Sequence, residues 1–216
     1  MAVITKIEEQ KNKKRVNIFV DDAFFCGLTK ETAVIFKLKV GKEVNESQLQ
    51  DAIFDSEVKM AFDKASDYLG SRMHSKKELF DKLLKKGYPK EVISKAIEKL
   101  EEYHYVDDGL YSKQFTTENK RYSKRMIENK LKAKGVSADL IEQSIEEHMS
   151  DEDEFELCLK FAEKYVKSKD MTKEGSVQKL ISSLARRGFA FDDIKRVCKK
   201  VLDAEKTEII DNFDEK

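Results

Sequence analysis

Two segments rich in β-branched residues open the chain, and a helical period follows them. Residues 3–7 and 15–20 read as strands, with apolar and other residues alternating in the second, and a polar stretch lies between them. This pattern is typical of a β-hairpin. Thr29 is a candidate N-cap for a short helix that we expect to end near residues 39–41. From Glu46 the apolar positions follow a helical period almost to the end.

A threefold repeat becomes visible when the sequence is aligned on Gly87, Gly135 and Gly188, which are 48 and 53 residues apart. Each glycine has a serine twelve residues before it, large apolar residues eight and four before, a base immediately before, and apolar residues six and ten after. These positions are Ser75, Ser123 and Ser176; Leu79, Ile127 and Leu180; Leu83, Leu131 and Leu184; Lys86, Lys134 and Arg187; Ile93, Ile141 and Ile194; and Ile97, Ile145 and Cys198.

Each shared position has a physical reason to recur. A serine at a helix start accepts from free backbone amides, and Ser75 with Glu78 forms a capping-box pattern. Apolar residues four apart form one buried stripe, and glycine supplies the left-handed conformation that ends a helix. A second helix follows each glycine, after Pro89 in the first copy, and a further helical run precedes each serine. The pattern predicts three tandem units of three helices, each about 45 to 50 residues long.

Composition narrows the class of protein. Only 40% of residues are hydrophobic and 39% are charged, with one proline and eight glycines. These values disfavour a turn-rich β-sandwich and wholesale disorder. The three cysteines, Cys26, Cys158 and Cys198, have no zinc-type or disulfide-framework spacing. With no apolar signal-peptide core and no apolar run near 18 residues, we expect a cytoplasmic protein.

The charges are balanced overall but segregated along the chain. The 42 lysines and arginines equal the 42 aspartates and glutamates, giving a formal net charge of zero. Residues 113–134 nevertheless contain eight bases and two acids, whereas residues 146–156 and the C-terminus are acidic. Net charge therefore does not exclude an anionic partner.

Two stretches carry a resemblance to a known family. Residues 65–79 (ASDYLGSRMHSKKEL), with 83–88 (LLKKGY) after them, resemble the signature of the RecX regulatory proteins, and so do residues 105–111 (YVDDGLY). The resemblance covers about residues 56–205, and the N-terminal segment resembles the extension of longer family members. It implies a non-enzymatic modulator that binds within the groove of the RecA filament on single-stranded DNA. There it would limit strand exchange, ATP hydrolysis and coprotease activity in DNA repair and the SOS response.

The predicted fold is mainly α: three tandem three-helix, helix-turn-helix-like repeats, elongated and curved, preceded by a small module with a β-hairpin. We place the N-terminal module at residues 1–55, the repeats at 56–106, 107–150 and 151–205, and an acidic tail at 206–216. No heptad seam indicates a coiled-coil dimer, so we expect a monomer.

No catalytic motif is present. Phosphate-binding, dinucleotide-binding and nucleophile-elbow glycine motifs are missing, and we expect neither an enzyme nor a cofactor. His74, His104 and His148 lack a metal-ligand spacing and are interpreted as surface or helix-end residues. Asp107 and Asp108 are a helix-start pair in preference to a metal site. Cys198 replaces an isoleucine of the repeat, so we expect it in the core.

Basic residues provide the candidate contact site. Residues 120, 121, 124 and 125 have the spacing of one helix face, and further bases lie at the first and third glycine turns. A solvated helix face is the alternative for any one of them. As candidate contacts with the RecA filament or DNA we select Arg72, Lys85, Lys86, Lys120, Arg121, Lys124, Arg125, Arg186 and Arg187.

The helix pairs allow two interpretations. In one, the second helix of each pair reads the major groove of DNA, but residues 90–99 and 139–147 carry abundant acid that would repel phosphates. In the other, which we prefer, the repeats form a scaffold that presents surfaces to another macromolecule. The expected partners are the RecA filament and single-stranded DNA within it, with double-stranded DNA also open, and no membrane. The alternative functions are direct DNA binding without RecA and a role as a structural adaptor for another partner.

Overall fold

The structure is a computed structural model, and it describes residues 2–202 apart from 172 and 174. The predicted acidic tail at 206–216 lies outside the described residues. The chain forms two compact units, Met1–Asp108 and Gly109–Lys216. In its described residues, the first unit contains a small sheet, one short helix and three longer helices, and the second is helical throughout its described part.

The sheet of the first unit has four antiparallel strands in the order β3-β2-β1-β4. The strands are β1 Ala2–Glu9, β2 Arg15–Val20, β3 Ala23–Thr29 and β4 Glu43–Val44. The predicted β1–β2 hairpin is confirmed, but β3 and β4 are additions to it. Asp21 and Asp22 have φ angles of 47° and 65°, so these two residues form the tight turn that starts a second hairpin.

One face of the sheet is covered by helices. Ile4, Ile18 and Leu28 are fully buried, and they pack with Ile53 of the first long helix. A short helix, α1 Lys30–Ile35, is capped by Thr29, as the sequence predicts.

Helix α1 ends at Ile35, four to six residues before the predicted end. Lys37 has a φ of 48°, its amide donates to the Val34 carbonyl, and the Leu38 amide donates to the Ala33 carbonyl. This is a Schellman ending in which a lysine takes the left-handed position usually held by glycine. The predicted end near residues 39–41 was therefore too late, because Lys37 takes the position at which a glycine is expected.

Within the described part of the chain, nine helices follow α1, and they group in threes. Repeat 1 comprises α2 Glu46–Leu69, α3 Lys76–Lys86 and α4 Lys90–Glu102. Repeat 2 comprises α5 Asp108–Glu118, α6 Lys124–Ala133 and α7 Ala138–His148. Repeat 3 comprises α8 Asp151–Ser168, α9 Ser176–Arg186 and α10 Phe191–Val201. Helix α2 is longer than the other helices because its first half packs on the sheet and its second half in the core of repeat 1.

The repeat positions form the helical cores. The apolar residues eight and four before each glycine, and the isoleucines six after, are all at most 2% exposed. Cys198 is fully buried with Cys158, which confirms it as a core residue. Gly87, Gly135 and Gly188 have φ angles of 102°, 80° and 88°, the left-handed conformation that the pattern predicts.

The serine caps are confirmed in two repeats and wrong in the third. Ser75 and Ser123 accept from the amides of Glu78 and Met126, and Ser75 forms the predicted capping box. Ser176 is instead the first residue of α9, and the N-cap is Gly175. The Ser176 hydroxyl donates to the Met171 carbonyl at 3.0 Å, a bond that turns it away from the capping position.

Buried carboxylates at helix starts form a second recurring feature. Asp108 accepts from the Lys76 amide at 2.9 Å, and Glu154 accepts from the Lys124 amide at 3.0 Å. In both cases the first helix of one repeat satisfies an amide at the start of the middle helix of the preceding repeat. Asp108 therefore lies at the start of α5, as predicted, but its carboxylate accepts a hydrogen bond from the backbone at the start of α3. Burial raises the pKa of both carboxyls, and the amide hydrogen bonds oppose the rise.

His74 precedes the cap of α3, as a helix-end residue, but it is 2% exposed and not on the surface. Its Nδ1 lies 2.9 Å from the Arg72 carbonyl, and its Nε2 lies 2.6 Å from Lys82 Nζ. Burial lowers its pKa, so the neutral ring donates from Nδ1 and accepts the lysine proton at Nε2. No helix in the described part of the chain is long and apolar enough to cross a membrane.

Candidate macromolecule-binding surface

In the second unit, two of the predicted basic clusters come together. The Ser123 hydroxyl caps α6 and also donates to the Arg187 carbonyl at 2.5 Å. Gly188 makes this approach possible, because a Cβ there would lie 2.8 Å from the Ser123 hydroxyl and 3.2 Å from the Arg125 Cβ. We define the basic patch as the predicted bases beside this contact: Lys120, Arg121, Lys124, Arg125, Arg186 and Arg187.

The basic patch differs in one respect from the sequence prediction. Lys120 and Arg121 were placed on the same helix face as Lys124 and Arg125, but α5 ends at Glu118 and α6 begins at Lys124. Residues 119–123 form a turn, because Ser123 starts the next helix as its N-cap. The four bases therefore lie on a turn and the helix that follows it.

Part of the basic patch is already occupied by contacts within the protein. Lys124 Nζ lies 2.6 Å from Asp151, and Lys120 Nζ lies 4.0 Å from Asp153. The Arg187 guanidinium lies over the Phe161 ring at 4.8 Å from its centroid, and it donates to the Ser183 carbonyl at 3.0 Å. These bases are consequently less available to a partner than their charge implies.

Three arginines of the basic patch remain available. Arg121, Arg125 and Arg186 are exposed, and none of them forms an ion pair with a residue that the structure describes. Arg121 makes one cation–π contact, with its guanidinium 5.2 Å from the centre of the Tyr122 ring. An arginine is well suited to a carboxylate or phosphate partner, because its planar guanidinium can form two parallel hydrogen bonds.

A groove of about 710 Å³ adjoins the basic patch within the second unit. Ile141, Ile145 and Phe189 contribute apolar surface to it. Its charged side chains have both signs: bases come from α6, and acids come from α6, α7, α8 and α10. The charged residues are Lys124, Arg125, Lys132, Glu128, Glu142, Glu146, Asp151, Glu154 and Asp193. Apolar surface with charges of both signs is typical of a protein interface more than of a bare phosphate site.

The remaining predicted residues lie in the first unit. Arg72 forms two 3.3 Å hydrogen bonds with the Glu78 carboxylate and donates to the Met73 carbonyl at 2.7 Å. These bonds hold its guanidinium group at the start of α3, where Glu78 belongs to the capping box. Lys85 and Lys86 are exposed at the first glycine turn.

Two groups of residues at these surfaces were not predicted from the sequence. The acids of α7 and α8 were noted for their repulsion of DNA or as a charged run, and Asp193 of α10 was not noted, so none of them was predicted to line a groove. The lysines of the N-terminal module were not selected, although Lys13 and Lys14 lie next to Lys86 in a cleft. The run KNKK at 11–14 was a visible signal, and only the fold brings it to the glycine turn. In the described residues, no three His, Cys, Asp or Glu side chains lie close enough to hold a metal ion.

Three family models match the chain at positions that agree with this architecture. The model for the RecX regulatory protein N-terminal domain matches residues 2–45, the first three-helix domain matches 61–100, and the third matches 151–198. Two crystal structures have the same fold. A regulatory protein RecX has a TM-score of 0.63 at 23% identity, covering 92% of this chain and 100% of that chain. RecX from Lactobacillus salivarius has a TM-score of 0.59 at 22% identity, with coverages of 68% and 97%.

Curated relatives match over nearly the whole length. A regulatory protein RecX from Clostridioides difficile is 34% identical over 220 residues, covering 100% of this chain and 99% of the relative. One from Bacillus pumilus is 34% identical over 213 residues, covering 96% of this chain and 81% of the relative. At this identity and coverage, the chain belongs to the RecX family of regulatory proteins.

Proposed function

We propose that this protein binds the RecA nucleoprotein filament and inhibits its recombinase, ATPase and coprotease activities. It acts as a monomeric, cytoplasmic regulator without a cofactor or a catalytic reaction of its own. Membership of a family named for regulation supports the class of function. The observation that carries the proposal is the basic patch of the second unit and the groove of mixed charge beside it.

The filament presents both kinds of surface that these residues suit. Its DNA offers phosphates to exposed arginines, and its protein subunits offer apolar side chains and charges of both signs to the groove. Arg121, Arg125 and Arg186 supply positive charge without an ion pair in the described protein, so no internal pair has to break when they bind. Contacts made by several repeats along one filament then add through their effective concentration.

A second candidate is direct DNA binding through the helix-turn-helix pairs, without RecA. One observation favours it: α10, the second helix of its pair, carries Lys195, Arg196, Lys199 and Lys200. The corresponding helices α4 and α7 do not share this feature, since they carry exposed acids such as Glu98 and Glu146. Arg196 is also held over the Phe155 ring at 4.3 Å and lies 3.4 Å from Asp193. The filament is therefore the better-supported partner.

A charge-reversal experiment tests the proposal. The variant Arg121→Glu with Arg125→Glu places acid in the basic patch, on residues that make no ion pair in the described structure. We expect inhibition of RecA strand exchange and ATP hydrolysis to require at least roughly tenfold more protein. The matched control reverses Lys167 and Lys179, two exposed bases of the same unit that do not line the groove.

The two variants change the net charge equally, so the comparison isolates the position of the charge. Equal loss in both would show a general electrostatic effect, and unchanged inhibition in the first would remove the basic patch from the site. Far-ultraviolet circular dichroism must show the same helicity for the wild type and both variants.

A further inference from the structure

A second basic site lies in the first unit, where four of its elements meet. A cleft of about 450 Å³ is lined by five lysines and one acid, Glu31. The lysines come from the β1–β2 loop, the start of α1, the last third of α2 and the first glycine turn: Lys13 and Lys14, Lys30, Lys64, and Lys86. Five bases against one acid make this lining strongly positive, unlike the groove of the second unit.

The walls of this lysine cleft are fixed to each other by hydrogen bonds. Arg15 donates to the Gly87 carbonyl at 2.5 Å and to the Gly27 carbonyl at 2.6 Å, so it joins the glycine turn to the sheet. The Lys30 amide donates to the Lys14 carbonyl at 2.9 Å, which joins the β1–β2 loop to α1. The lysines are therefore carried by backbone that is already positioned, which lowers the entropy cost of binding an anion.

The lysines of the cleft are only partly neutralised. Lys30 pairs with Glu9, and Lys64 pairs with Asp67 at 2.9 Å. Lys13, Lys14 and Lys86 form no ion pair with any residue in the described ranges. Three positive charges from the loop and the glycine turn thus converge on one cleft without a carboxylate partner.

Tyr88 contributes a hydroxyl-bearing side chain to the lysine cleft. The residue lines the cleft and is 7% exposed, and it also packs in the core of repeat 1. Burial raises the pKa of Tyr88 to about 12, so the hydroxyl keeps its proton and can donate to an acceptor in the cleft.

We propose that the lysine cleft binds the sugar-phosphate backbone of a nucleic acid strand, with Lys13, Lys14 and Lys86 neutralising phosphates and Tyr88 donating to a phosphate oxygen. Phosphate oxygens are acceptors only, as these donors require. Lysines line the cleft from four elements, and its aromatic lining is Tyr88 alone, so a charged chain fits it better than an apolar small molecule. The site extends the proposed function, because it gives the first unit its own contact with the DNA of the filament.

The test measures binding of a fluorescently labelled oligodeoxythymidylate to the full-length protein, by anisotropy over a range of salt concentrations. We expect Lys13→Glu with Lys86→Glu to weaken binding roughly tenfold at low salt and to reduce the slope of log affinity against log salt by about 2. The control, Lys39→Glu with Lys59→Glu, reverses two exposed lysines of the same unit that do not line the cleft. Unchanged binding in the cleft variant, or equal loss in the control, would overturn the proposal.

Tyr88→Phe tests the hydroxyl separately from the charge. It keeps the ring in place and removes one donor, so we expect a loss of about threefold to tenfold in affinity with an unchanged salt slope. Affinity equal to that of the wild type would remove Tyr88 from the site. A labelled duplex measured in parallel decides whether the cleft takes a single strand or a double helix.

Failure of this inference can be told apart from failure of the proposed function. If the wild type inhibits RecA and the cleft variant binds bare DNA as well as the wild type does, the lysine cleft is wrong and the proposed function stands. If the wild type has no effect on RecA but loses DNA binding in the cleft variant, the lysine cleft stands and the proposed function is wrong.

Discussion

The lysine cleft of the first unit and the groove of the second use basic residues in different ways. The cleft is lined by five lysines and one acid, and the three bases of the loop and glycine turn have no carboxylate partner among the described residues. In the groove, bases from α6 stand opposite acids from α7, α8 and α10 over apolar side chains. The cleft has the character of a phosphate site, whereas the groove has that of a protein interface. The two units thus present surfaces that suit different partners, a phosphate chain for the cleft and a protein for the groove.

The two regions also differ in how a glycine turn is held. The first turn receives a hydrogen bond on the Gly87 carbonyl from Arg15 of the sheet, whereas the third receives one on the Arg187 carbonyl from Ser123 of repeat 2. The glycines are therefore docking points for a neighbouring element as well as helix ends. Each contact fixes the position of the basic residues beside it, which are Lys86 in the lysine cleft and Lys124 and Arg125 in the groove.

The largest expected effect comes from filling the third glycine turn. Gly188→Ala places a Cβ 2.8 Å from the Ser123 hydroxyl, which is committed to its cap, and it also strains a φ of 88°. We expect a loss of about 2 to 4 kcal/mol in the free energy of unfolding. Gly87→Ala meets the end of the Asn12 side chain, which can move, so it should cost about 1 to 2 kcal/mol.

Gly41→Ala is the control for strain alone, because Gly41 has a φ of 84° and no atom within 4 Å of the added Cβ. Urea denaturation followed by circular dichroism measures all three variants. Equal losses would contradict the docking role of the glycine turns and leave only their left-handed conformation.

The serine caps of the second unit should differ in the same direction. Ser123→Ala removes a cap and the hydrogen bond to the Arg187 carbonyl, so we expect a loss of about 2 kcal/mol. Ser150→Ala removes a cap whose hydrogen bonds to described residues stay within the first turn of α8, and about 1 kcal/mol is expected. Denaturant midpoints decide the order, and a larger loss for Ser150 would reverse the comparison.

The buried carboxylate of the second unit gives a smaller, pH-dependent effect. Burial raises the folded-state pKa of Glu154, so its contribution to stability is present at acid pH and is lost as the pH rises through that pKa. Glu154→Gln keeps an oxygen to accept from the Lys124 amide and removes the charge. We expect this variant to match or slightly exceed the wild type at neutral pH, to lose that advantage as the pH falls through the raised pKa of Glu154, and to have none left below about 4.

Glu154→Ala serves as the contrast, since it leaves the Lys124 amide without its acceptor and should cost about 1 to 3 kcal/mol at any pH. The stabilities of the wild type and the two Glu154 variants are compared by thermal unfolding at several pH values between acid and neutral. A stability advantage of the glutamine variant that grows toward acid pH would show that the sign assigned to Glu154 is wrong.

Local patterns predicted much of this fold. The spacing around three glycines was sufficient to predict the helical repeats, because buried helix faces and left-handed helix ends both leave a strong local pattern in the sequence. Strand β3 was missed because its turn uses Asp21 and Asp22 in place of glycine or asparagine, and the end of α1 was misplaced because Lys37 takes the left-handed position. Both errors have the same origin, a residue adopting a conformation that its type seldom adopts.

The binding surfaces were predictable only in part. Clustering along the sequence found the bases of α6 and of the glycine turns. It could not show that Lys124 and Arg72 are paired with Asp151 and Glu78, because such pairs form only in the folded chain. The lysine cleft joins residues separated by up to 75 positions, so only the fold places Lys13 and Lys14 near Lys86 and Tyr88.

The most direct test of the account compares two substrates for the wild-type protein. Binding is measured to RecA filaments held on single-stranded DNA with a non-hydrolysable nucleotide, and to the same DNA without RecA, at matched salt. The account predicts a clear preference for the filament, about tenfold or more, because the groove contacts protein while the basic residues contact DNA. Equal affinity for filament and bare DNA, with the same steep salt dependence, would contradict it.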